Sequence, residues 1–169
     1  MGRFFFSGCS YAKLDEKNRF VLPQQMRFGL VEEGTLEFCL ALGLGGCLAI
    51  YRKSDIAKMV ETFRSKQHLG KYQKFFTFFC STLHQTSCDK IGRVTLPPIL
   101  KNAVKIKSEI AIAGVLNKIE LWPKEHYENT LETLLKGKGT TGDLVKMSEE
   151  AFALLGEEED EKTPSGDAG

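Results

Sequence analysis

The chain has 169 residues, 42% hydrophobic and 27% charged, enough for the core of one domain or two small ones and against a fully disordered or fibrous chain. No stretch approaches the roughly 18 consecutive apolar residues of a membrane-spanning helix, and the run Phe4-Phe5-Phe6 is too short for a signal peptide, so the chain is expected to stay where it is made. The net charge of +1 is uneven: residues 157–169 hold six acids and one base, while residues 1–156 carry 22 bases against 16 acids, a weak pointer to a polyanionic partner.

The first predicted element is a tight turn, Leu14-Asp15-Glu16-Lys17-Asn18-Arg19-Phe20-Val21-Leu22-Pro23, flanked by residues that alternate as strands do. Asn18 tolerates a positive φ, and Asp15 is placed to accept hydrogen bonds from backbone N–H groups of its own turn. Pro23 ends the return strand and opens a short helical turn over 24–28. Strands follow at 36–40 and at Leu48-Ala49-Ile50-Tyr51, with a glycine-containing turn between them. Ser54-Asp55 opens a helix whose Ile56, Met59, Val60 and Phe63 form one apolar stripe. Tyr72, Phe75, Phe76, Phe78 and Phe79 then form an aromatic cluster, read as a short helix or a buried join.

The chain next repeats itself. Cys88-Asp89-Lys90-Ile91-Gly92-Arg93-Val94-Thr95-Leu96-Pro97 returns Asp, Arg, Leu and Pro at an offset of 74, with Gly92 at the place of Asn18. A helical turn over 98–102, a strand at 109–113, a strand Ile119-Glu120-Leu121-Trp122 and a helix carrying Tyr127, Leu131, Leu134 and Leu135 follow in the same order. The organisation expected is a first repeat over 4–75, a second over 76–136, and a remainder over 137–169. That remainder comprises a flexible segment, a short helix over 148–155 capped by Ser148 and closed by Gly156, and a disordered acidic tail.

Little here suggests chemistry. Cys9, Cys39, Cys47, Cys80 and Cys88 show no metal-ligand spacing and read as small buried hydrophobes in a reducing compartment. The repeat-related pair Asp15 and Asp89 invites comparison with a two-carboxylate catalytic pair, but an arginine four residues after each would hold it ionised. The glycine-rich run 137–142 lacks the order of a phosphate loop. No enzyme activity, cofactor, metal or small-molecule substrate is expected.

Two Asp-x-x-x-Arg-x-x-Leu-Pro turns, each followed by two strands and a helix, together with the opening Phe6-Ser7-Gly8, resemble the MraZ family of bacterial transcriptional regulators over residues 4 to 136. The resemblance implies an α+β fold, a pseudo-symmetric β-barrel built from two AbrB-like β-hairpin repeats with flanking helices. It also implies a cytoplasmic, nucleoid-associated, sequence-specific DNA-binding regulator of division and cell-wall genes that assembles into a ring of copies. The family's first motif has glycine where this chain has Asn18; the turn is expected to survive with a bulkier tip. On this reading Lys13, Lys17, Arg19, Arg27, Lys90 and Arg93 face double-stranded DNA carrying short promoter repeats, and Asp15, Asn18, Pro23, Asp89, Gly92 and Pro97 shape the turns. Both arginines keep a second reading, as braces paired with Asp15 and Asp89. The basic segment 52–74 reads either as a solvated helix face or as a non-specific attractor of nucleic acid. The competing function is a non-enzymatic, oligomeric protein-interaction scaffold.

Overall fold

The structure, a computed structural model, describes residues 4–136 and 141–161. In chain order the first copy runs β1 (Cys9–Lys13), β2 (Arg19–Val21), α1 (Gln24–Leu30), β3 (Phe38–Leu42), β4 (Leu48–Arg52) and α2 (Lys53–Ser65). A 3-10 turn (Gly70–Tyr72) and α3 (Gln73–Thr82) lead to the second copy: β5 (His84–Thr86), β6 (Arg93–Thr95), α4 (Pro98–Ala103), β7 (Glu109–Val115), β8 (Lys118–Pro123) and α5 (Lys124–Lys136). α6 (Thr141–Glu161) follows, so the fold is α+β. The first strand of the β3–β4 pair lies two residues later than the 36–40 expected.

The turns form, but the hairpins expected around them do not. β1 pairs with β7, from Cys9↔Ala113 to Lys13↔Glu109, and β5 pairs with β3 of the first copy. β2 pairs with β6 through Phe20↔Val94. Alternation along a strand dictates which face it buries, not which strand it joins. Here Phe20 reaches 1% exposure, and Val94 0%, opposite each other across the copies.

The six-stranded order is β1-β7-β8-β4-β3-β5, and exchanging the copies reverses this order onto itself. The internal repeat is therefore realised as an interleaved pseudo-two-fold, whose centre passes through Phe20 and Val94 in the ribbon. The six-stranded order ends at β1 and β5, and the β2–β6 ribbon is a separate two-stranded sheet.

One core fills the space between ribbon and sheet: Phe20, Leu22, Val94 and Leu96 meet Leu40, Ile50, Ile112 and Leu121. The other face of β3 and β4, with Cys39, Ala41, Ala49 and Tyr51, packs on Ile56 of α2 and Phe79 of α3. Burial on both faces explains why these two strands read as continuous apolar runs. The aromatic cluster resolves into a helix whose inner rings close on Phe63, with centroid separations of 5.0 Å to Phe76 and 5.3 Å to Phe79. Of the cysteines, Cys39 and Cys47 are buried and Cys88 is half-buried, but Cys9 and Cys80 are exposed, contrary to the expectation for all five. Burial pushes the Cys47 thiol up to about 12.

The chain divides into two compact units between Lys124 and Glu125. In the second, α5 has no buried residue, and Leu131 and Leu135 stay exposed, so the expected stripe on this helix does not face a core. The short helix expected over 148–155 is instead the middle of α6. Ser148 does not cap it; its hydroxyl donates to the Val145 carbonyl at 2.8 Å. Leu144, Val145 and Met147 extend the apolar periodicity towards the N-terminus, and Gly156 weakens the helix without ending it. Of the flexible segment expected over 136–142, residues 137–140, and of the disordered tail expected over 157–169, residues from Lys162 onward, lie outside the described residues; 141–142 and 157–161 are helical instead, as parts of α6. Among the described residues, no helix is long and apolar enough to cross a membrane.

Candidate nucleic-acid interface

Each turn is built around its aspartate. Asp15 Oδ1 accepts from the Lys17 and Arg19 backbone N–H groups, both at 2.9 Å, and Oδ2 accepts from Arg19 Nε at 2.8 Å. The second turn repeats this atom for atom: Asp89 Oδ1 accepts from the Ile91 and Arg93 N–H groups at 3.1 and 2.8 Å, and Oδ2 from Arg93 Nε at 2.6 Å. The bracing role of both arginines is thus present in the geometry. Asn18 and Gly92 adopt the left-handed backbone expected of them, with φ of 57° and 87°. Their carbonyls then bridge the copies: Leu96 N–H donates to Asn18 O and Leu22 N–H to Gly92 O, both at 2.9 Å. Pro23 and Pro97 stand extended at the mouths of α1 and α4, carrying the chain out of the ribbon and into helix.

The ribbon has two faces. Phe20 and Val94 point into the core, so Arg19, Val21, Arg93 and Thr95 point outward. Arg19 lies opposite Thr95 and Arg93 opposite Val21, which makes the two arginines diagonal neighbours on the outer face. Their side chains retain 25% and 33% of their full exposure despite the aspartate contacts. Lys17 and Lys90, in the turns, are exposed, as is Lys13 at the end of β1. Four cations from two copies therefore gather on one ribbon, with Lys13 at its base.

Arg27 does not join them in the same way. It is half-buried, and its guanidinium lies against the second turn: a Cβ on Gly92 would stand 1.8 Å from Arg27 Nη1. The side chain fills the space that a residue with a Cβ would need, so α1 of the first copy clamps the turn of the second. Lys101 holds the matching position in α4, and the first turn has Asn18, which carries a Cβ, at the place of Gly92. The two turns are thus alike in hydrogen bonding and unlike in packing. Sequence reasoning missed this clamp, and it also passed over Val21, Thr95 and Ile91, all exposed around the arginines. Strand alternation counted outward from Phe20 and Val94 identifies Val21 and Thr95.

The backbone N–H of Arg19, with its guanidinium, holds the Asp15 carboxyl below its ordinary value; Arg93 does the same for Asp89. A carboxylate with a depressed folded pKa adds stability above its unfolded value, near 3.9, and loses it as the pH falls through the folded one. An Asp15→Asn, Asp89→Asn variant is therefore expected to melt below the parent at pH 6, with the gap closing as the pH is taken under about 4. Melting curves at stepped pH check this; a gap independent of pH would assign the difference to shape rather than charge.

Both repeats connect the chain to known proteins by sequence. The family model described as "MraZ protein, putative antitoxin-like" matches it twice, over residues 5–74 and 79–142. The chain belongs to the MraZ family. Among its relatives, the "Transcriptional regulator MraZ" of Finegoldia magna is 32% identical over 120 residues, covering 70% of this chain and 80% of that protein. The protein of the same name from Cutibacterium acnes is 30% identical over 128 residues, covering 75% and 87%. α6 lies almost wholly beyond the second MraZ match, which ends at residue 142. Within the match, this MraZ chain carries the left-handed Asn18 in its first turn and keeps glycine for the clamped second one.

Proposed function

We propose that this chain is a sequence-specific DNA-binding transcriptional regulator, acting in the cytoplasm on promoter DNA of the division and cell-wall genes. The observation that carries the reading is the outward ribbon face, where Lys17, Arg19, Lys90 and Arg93 gather over a buried Phe20–Val94 pair. The major groove of B-DNA is wide enough for a two-stranded β-ribbon. Each arginine spends Nε on its own aspartate, which fixes the direction of the guanidinium and leaves its terminal nitrogens for guanine O6 and N7 or for phosphate. Val21, Ile91 and Thr95 supply apolar contact for a thymine methyl. The same reading treats the six-stranded sheet and the ribbon as walls of one pseudo-symmetric barrel, and its two interleaved repeats as the domain.

Four or five cations per chain give modest affinity, so recognition draws on several chains in a ring engaging several short DNA repeats. A gel shift with the DNA just upstream of the chain's own gene, against a scrambled control, tests the reading. Retardation of the native fragment alone is expected, falling steeply with salt as counterions are released, and much weaker on DNA with one repeat than with several. Equal affinity for one repeat and several would remove the multivalent part. No shift at moderate salt on either DNA would favour the protein-interaction scaffold.

A further inference from the structure

The second unit carries a helix that lacks a core. In α6 Leu144, Met147, Ala151 and Leu154 fall in 3-4-3 spacing, and Val145, Phe152 and Leu155 form a neighbouring stripe interrupted by Ser148, both on one side of the helix. Leu144, Val145, Met147, Phe152, Leu154 and Leu155 are 39% to 70% exposed. Helical stability in water comes mainly from packing such a face, not from propensity. The helix is also acidic: the sequence from 141 to 161 holds eight acids and a single base, Lys146.

A complementary surface lies on α2, the 3-10 turn and α3, where the sequence from 62 to 82 holds four bases and no acid. Phe76 and Phe79 turn inward onto Phe63, while Tyr72, Phe75 and Phe78 remain 42%, 45% and 46% exposed. Lys66, at the end of α2, Lys71, in the 3-10 turn, and Lys74, in the first turn of α3, are exposed, and Lys71 lies over the Tyr72 ring at 4.9 Å. Arg64 is paired with Glu61, but among the described residues these three lysines have no acidic partner. An apolar face rimmed by acids and an aromatic face rimmed by lysines are mutually complementary in both charge and polarity. Acidic rims disfavour pairing of α6 with another α6.

We propose that α6 of one chain docks on the aromatic, lysine-rimmed face of α2 and α3 in another chain of the same sequence, linking chains through a contact outside the ribbon. This rests on the self-associating part of the reading above and is independent of its DNA part.

Sedimentation velocity on the full chain tests it. Phe152→Glu with Leu155→Glu, both at exposed positions, is expected to weaken self-association by about tenfold or more. Lys66→Glu, Lys71→Glu and Lys74→Glu together should do the same. Combining those three with Glu149→Lys, Glu150→Lys and Glu157→Lys should restore association to within about threefold, because the charges are exchanged and not removed. Unchanged association in the first two variants would overturn the proposal, as would a loss that the exchange does not repair. Cross-links between 144–155 and 66–78 that form only within single chains would overturn it too. Retention of the gel shift on a single repeat by the α6 variant separates this contact from DNA binding; a face variant that keeps its association state yet loses DNA would reassign the lysines to nucleic acid.

Discussion

Arg19→Ala is expected to weaken binding to multi-repeat promoter DNA by about ten- to a hundredfold while moving the thermal midpoint by only a degree or two. The two effects separate because Asp15 does two jobs with different oxygens. Oδ1 holds the turn through the Lys17 and Arg19 backbone N–H groups, which any residue at 19 retains, whereas only Oδ2 depends on the arginine side chain. An exposed ion pair of that kind contributes little to stability. The guanidinium on the outer face of the ribbon, by contrast, is a bidentate donor that alanine does not replace. Lys17→Ala is the companion: as a phosphate contact it should weaken native and scrambled DNA alike and lower the salt slope by about 1. Fluorescence anisotropy titrations at several salt concentrations, beside a melt of each variant, provide both readouts. An Arg19→Ala protein that binds normally, or one that fails to fold, would leave the arginine as a brace alone.

Phe20→Ala should have the largest effect on stability, about 3–5 kcal/mol, lowering the midpoint by on the order of 10 °C. Phe20 is 1% exposed and stands at the centre of the pseudo-two-fold, across from Val94 and within the core shared by both copies. Its loss opens a cavity where two sheets meet, a place with few routes for collapse. Val21→Ala, one residue away and 51% exposed, is the control, with an expected change within about 0.5 kcal/mol. Calorimetry of the two variants checks the pair of values. Similar costs for both would mean that the ribbon does not seal the core. Because the wall it seals also presents Arg19 and Arg93, Phe20→Ala should reduce DNA affinity as a consequence of unfolding, at temperatures where the Arg19→Ala protein is still folded.

Much of the site was legible from residue types. The acceptor role of Asp15 and Asp89, the left-handed backbone at Asn18 and Gly92 and the break at Pro23 and Pro97 all follow from side chains acting within a few residues of themselves. Both readings of Arg19 and Arg93 remain physically compatible, since one nitrogen braces and the others stay available. The outer positions Val21 and Thr95 were derivable from alternation once Phe20 and Val94 were taken as inward. Arg27 was not: its chemistry as a cation is the same in either role, and only the approach of α1 to a turn 65 positions later shows that it clamps Gly92.

The duplication, the order of strands and helices within each copy and the local form of both turns follow from residue types and their spacing, because they depend on contacts between near neighbours. Pairing was decided by the tertiary structure. An alternating strand such as β1 or β2 carries a buried face that any partner of suitable register can cover, so its residues do not name that partner. Burying Phe20 against Val94 and seating β1 on β7 requires the two copies to interleave, and that choice is a property of the shared core. The length of α6 was not decided by that core: its apolar pattern starts at Leu144, before the serine that would cap a shorter helix, and the helix carries on through Gly156 into an acidic end.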